Sequence, residues 1–93
     1  MTSRDSIEHL ELGFSKTVKE SLEKYFISHE DDVMPSGLHD RIIEEVERVM
    51  FCVTLNHTKG NQLRASKILG INRNTLRKKM QKFNIGETAK WIV

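Results

Sequence analysis

Two arginines four residues apart, Arg73 and Arg77, with Asn72 and Asn74 beside the first, offer side chains built for paired hydrogen bonds to flat polar edges. An arginine fork matches the O6 and N7 acceptors of guanine, and an asparagine amide matches N6 and N7 of adenine. On a helix, residues four apart share one face, so both guanidinium groups point the same way. Around them lie Lys59, Arg64, Lys67, Lys78, Lys79 and Lys82, which makes eight cations and no carboxylate between residues 58 and 86. Residues 1–57 carry six Lys/Arg against twelve Asp/Glu, so the formal net charge of +2 hides an acidic part joined to a strongly basic one. Such segregation is the electrostatic footprint of a polyanion binder, because cations that replace condensed counterions on a duplex release them.

Something must hold these groups in a fixed array. The run GNQLRASKILGINRNTLRKKM reads as a helix-turn-helix, with helices over 61–69 and 73–83 joined by a turn at 70–72. Its helices cross closely, which asks for a small residue at the crossing and a turn residue free in φ; Ser66 and Gly70 meet those needs. Ala65, Leu69, Ile71, Leu76 and Met80 are the expected contacts between the two helices. With Leu76, Met80 and Phe83 inward, Arg73, Asn74, Thr75, Arg77, Lys78 and Lys82 fall outward or along the flanks. Recognition helices meet base edges through their N-terminal residues, so Asn72, Arg73, Asn74 and Arg77 are the expected base contacts. Thr75, Lys78, Lys79 and Lys82 are expected on phosphates, as are Lys59, Asn61, Gln62 and Arg64 at the start of the preceding helix.

Upstream, Val18, Leu22, Tyr25 and Phe26 form one stripe of a helix beginning near residue 15, with the Ser15 hydroxyl as its expected N-cap. Residues 1–14 show no strong period and are expected to be a flexible arm. Pro35 and Gly37 punctuate the acidic segment that follows the first helix, and a second helix is expected over 38–57. Its stripe Ile42, Val46, Val49 and Val53, joined by Ile43, Met50 and Thr54, makes its C-terminal half apolar almost all round. One amphipathic helix and a small helix-turn-helix cannot cover such a helix. A second copy of the chain is therefore expected, with Val18, Leu22, Phe26, Ile42, Val46, Val49, Met50 and Val53 at the dimer interface, the alternative being a helix central to a monomeric bundle. Gly60 is expected to end the second helix in the left-handed region.

The architecture expected is all-α, four helices per chain: an arm (1–14), dimerisation helices (15–57), a helix-turn-helix (58–86) and a tail (87–93) containing Trp91. Catalysis is not expected, since the four histidines and the lone Cys52 lack any metal-ligand or nucleophile spacing. His39 and Asp40 fit N-terminal capping and first-turn roles better than an acid/base pair. No cofactor and no metal is expected. No apolar run suits a membrane span or a signal peptide, so a cytoplasmic protein is the expectation. A dimerisation module without nucleic-acid binding is the competing class, and it leaves the acid-free basic stretch unexplained.

In GNQ, GINR and TLRKK, and further back in EEVERVM and KESLEKYF, the chain resembles the Fis family over roughly residues 15–85. The stretch YFISHEDDVMPSGLHDRIIEEVE with GINRNTLRKK looks closer to the DNA-binding domain of NtrC-type nitrogen regulators. The resemblance implies a dimer with an intertwined four-helix core, paired recognition helices in successive major grooves, and bent duplex DNA. By matched motif positions it implies groove and backbone contacts from Asn72, Arg73, Thr75, Arg77 and Lys78, and backbone contacts from Asn61, Gln62 and Arg64. Transcription regulation in the bacterial nucleoid, with the transcription machinery as a further partner, is the implied role. Asn74 departs from the glycine of enteric Fis, and residues 1–14 lack the hairpin through which that protein engages recombinases.

Overall fold

A computed structural model describes residues 4–29 and 36–86. Among them are four helices and no strand: α1 (Arg4–Ser28), α2 (Leu38–His57), α3 (Gln62–Leu69) and α4 (Arg73–Lys82). The all-α, four-helix architecture agrees with the sequence pattern. The tail 87–93, including Trp91, lies outside the described residues, as do residues 30–35.

The first helix is longer than its strongest period suggests. α1 runs 25 residues, so residues 4–14 are helical rather than an arm, and Ser15 sits inside the helix rather than at its cap. The reason is legible afterwards: Ile7, Leu10 and Phe14 continue the spacing of Val18, Leu22 and Tyr25 toward the N-terminus. Gly13 stands beside that stripe, and a mid-helix glycine costs about 1 kcal/mol relative to alanine. Within α1, Val18 and Leu22 are half-buried, whereas Ile7, Leu10, Phe14 and Phe26 are exposed.

Gly37, with φ 89°, opens α2 and makes no side-chain cap bond, so neither His39 nor Asp40 caps this helix. Instead Asp40 sits in the first turn, where a carboxylate favours the positive end of the helix dipole, 3.0 Å from Nδ1 of His39. The faces of α2 then differ. Phe51, Cys52 and Leu55 are buried, while Ile43, Met50 and Val53 remain exposed and Ile42, Val46 and Val49 half-buried.

Leu55 and Leu76 are fully enclosed at the centre of one cluster with Phe51, Ala65 and Met80, and Leu69, Ile71, Phe83 and Ile85 pack around it. The rings of Phe51 and Phe83 stand 6.2 Å apart, tilted by 43°. The helix-turn-helix contacts read from the spacing are present, and the end of α2 joins them as a third wall.

All three of these helices end in the same way. Lys59, Gly70 and Asn84 take left-handed φ of 55°, 73° and 56°. The next amide then reaches back five residues, from Gly60 to the Leu55 carbonyl (2.9 Å), Ile71 to Ser66 (3.0 Å) and Ile85 to Met80 (2.8 Å). Ile71 and Ile85 drop onto the core at these closures, the apolar contact that usually accompanies them. Gly60 is left-handed, as expected, with φ 83°, but Lys59 before it occupies the closing position in a conformation that costs a residue with a Cβ about 1–2 kcal/mol.

Candidate nucleic-acid interface

Two asparagines open the helices of the basic unit. The Asn61 Oδ1 accepts from the Arg64 amide at 3.0 Å, and the Asn72 Oδ1 accepts from the Asn74 amide at 2.7 Å. Each thus satisfies a first-turn N–H that the helix cannot. A paired contact to adenine needs the amide oxygen as an acceptor and the nitrogen as a donor, and here the oxygen already serves the backbone. Asn61 and Asn72 still offer their NH₂ group, a pure donor suited to an oxygen acceptor, and the second lone pair of an oxygen whose direction the cap bond fixes.

With Leu76 and Met80 buried and Phe83 partly so, α4 presents Arg73, Asn74, Arg77, Lys78 and Gln81, all exposed, along about 12 Å of its length. Asn74 is the asparagine of this stripe whose side chain is not used as a cap. Gln81 extends the stripe one turn beyond Arg77; its i, i+4 spacing was the available signal, masked by the attention that charge attracts. Near the start of α3, Lys59 and Arg64 are exposed and Gln62 is half-buried. No acidic residue occupies the first turn of α3 or of α4.

The other flank of α4, Thr75, Lys79 and Lys82 at i, i+4 and i+7, is arranged differently. Lys79 Nζ donates to Glu47 Oε1 at 3.0 Å, and Lys82 Nζ lies 2.9 Å from Glu44 Oε1. Both carboxylates belong to α2. The bond to Glu44 is the main cause that holds the Lys82 amine above its ordinary pKa range, and the Nζ also stands 5.8 Å from the Phe83 ring centroid. Thr75 is exposed. Expected on phosphates, these two lysines are already partnered by carboxylates more than thirty residues away, a pairing that only the fold brings about.

One further ion pair on α2, between Arg48 and Glu45, depresses the Glu45 pKa chiefly through the hydrogen bond from Arg48. Among the described residues no group of His, Cys, Asp or Glu side chains is arranged to hold a metal ion. None of the described helices is long and apolar enough to cross a membrane.

Residues 42–83 match the family described as bacterial regulatory protein, Fis family. The DNA-binding protein Fis of Buchnera aphidicola subsp. Schizaphis graminum is 40% identical over 68 residues, covering 73% of this chain and 69% of that one. The chain belongs to the Fis family. A second Fis, from Glaesserella parasuis, is 39% identical over 71 residues, covering 76% of this chain and 71% of its own length. The Fis-family segment is also similar to the DNA-binding transcriptional regulator NtrC of Azospirillum brasilense, 45% identical over 73 residues. That match takes in 78% of this chain and 15% of the regulator, so the chain spans only a small part of the NtrC proteins it matches.

Proposed function

We propose that this chain is a sequence-preferring DNA-binding protein that acts as a homodimer in transcription regulation and bends its site. The observation that carries the proposal is the exposed stripe Arg73, Asn74, Arg77 and Lys78 at the start of α4, fixed on a closed core within an acid-free stretch of 29 residues, 58–86. Arg73, Asn74 and Arg77 read base edges in the major groove. Lys59, Asn61, Gln62, Arg64, Asn72, Thr75 and Lys78 meet phosphates, with Asn61 and Asn72 donating from amides that their caps hold in place. Membership of a family whose relatives are named DNA-binding proteins supports this reading.

The dimer rests on the apolar faces that the single chain leaves open. Met50 and Val53 on α2, at 43% and 54% exposure, and Phe26 on α1, at 49%, are costly to leave in water. Half-buried Val18 and Leu22 on α1, and Ile42, Val46 and Val49 on α2, extend the apolar face of each helix that a second copy covers. Two recognition helices fixed on one such core need not match the roughly 34 Å between successive major grooves of straight DNA. Curving a site of 20 to 30 base pairs costs about 1–6 kcal/mol, less where its uncontacted centre is A/T-rich and compressible.

Salt titration of duplex binding tests the proposal: a steep fall in affinity with salt supports it. Salt-insensitive binding, or none, leaves a dimerisation module without nucleic-acid binding. Circular-permutation gel shifts test the bend, and mobility independent of site position removes it. The similarity to NtrC favours a second reading, in which these 93 residues are the DNA-binding segment of a larger activator that engages the transcription machinery. Sequencing the transcript upstream of the Met1 codon separates the two. Either way the protein works in the bacterial cytoplasm.

A further inference from the structure

We propose that Glu44 and Glu47 are specificity-setting residues, which hold Lys82 and Lys79 on the α2 side of α4 and so keep two cations from adding to sequence-blind binding. The inference rests on the DNA-binding reading above and deepens it. Eight cations lie in residues 58–86, and two are bound by α2 carboxylates at 3.0 Å and 2.9 Å. Among the described residues no carboxylate is in ion-pair contact with the other six.

A lysine contributes to non-specific affinity by displacing counterions from a phosphate, and each such contact adds about 0.9 to the slope of log affinity against log salt. A lysine paired with glutamate brings no net charge to the duplex. To reach a phosphate it must leave the glutamate behind, unpaired and facing a polyanion. The pairs therefore subtract from backbone attraction while leaving the exposed stripe of Arg73, Asn74 and Arg77 untouched. Specificity is a difference between affinities, so lowering the sequence-blind one raises it. Both pairs also tie α4 to α2 and fix how the stripe is presented.

The test uses Glu44→Gln and Glu47→Gln, near-isosteric changes that remove the charge, with melting curves to establish that the dimer is intact. Affinity is measured across salt concentrations for a preferred site and for a scrambled duplex of equal length. Each variant is expected to bind the scrambled duplex more tightly, steepen its slope by about 0.9 per released lysine, and lose preference for the site. Placing Glu44→Gln in a Lys82→Met background separates release of the lysine from a general change of field: in that background the slope is expected to stay at the Lys82→Met value. Lys82→Met and Lys79→Met alone are expected to leave the wild-type slope unchanged. A slope that drops by about one in either lysine variant, or one that does not move in both glutamine variants, overturns the proposal. A wild-type protein with no salt-dependent duplex binding instead overturns the DNA-binding reading on which it rests.

Discussion

The unit built by the end of α2 with α3 and α4 closes upon itself; α1 does not. In the former, fully enclosed Leu55 and Leu76 anchor a core that reaches from Phe51 to Ile85, and three helix ends fold an amide back onto a carbonyl. In α1, 25 residues of helix leave Ile7, Leu10, Phe14 and Phe26 between 49% and 71% exposed. A closed unit can hold side chains in a fixed array, and an open one needs cover. On the function proposed above, the chain divides its tasks along its length, with rigidity where base edges would be read and unsatisfied apolar surface where another copy would dock.

Breaking the closed unit has the largest expected effect. Leu76→Ala removes a side chain with no solvent exposure and is expected to destabilise the fold by about 2–5 kcal/mol in denaturant titration, at any protein concentration. Val53→Asp strikes the open surface instead, and its damage is expected to appear as loss of the dimer in sedimentation and of the concentration dependence of the melting temperature. A wild-type chain that sediments as a stable monomer at micromolar concentration would abolish the distinction between the two regions. Arg77→Ala is expected to leave the melting temperature in place while weakening the preferred site by about 1–3 kcal/mol and flattening sequence preference. Lys59→Gly sharpens the comparison from the other side. Relief of its left-handed backbone is expected to stabilise the fold by about 1 kcal/mol, while loss of a phosphate contact lowers the salt slope by about one unit.

Wherever local signals agreed, the sequence was readable. Gly70 and Asn72 marked the turn, and Leu76, Met80 and Phe83 the inner face of α4. The start of α1 was hidden because Gly13, a poor helix former, stands just where charge and apolar residues mix. The ion pairs of Lys79 and Lys82 were hidden for another reason: their partners are Glu47 and Glu44, and no local period reports which carboxylate a distant helix will bring alongside. Asn72 lay between these cases, since asparagine suits both a cap and a base contact, and only the hydrogen bond at 2.7 Å tells that its oxygen caps α4.

That engagement makes the choice between two nearly isosteric residues unusually consequential. Asparagine and aspartate cap helices about equally well, so aspartate at position 61 or 72 is expected to preserve the fold. Replacing the NH₂ by a second oxygen, however, turns a donor into an anion, at a place where the proposed interface puts a phosphate. On that proposal, one atom of each amide answers to folding and the other to binding. A single exchange of nitrogen for oxygen thus uncouples the two, leaving a protein that is whole by every measure of stability and repelled by the backbone it should grip.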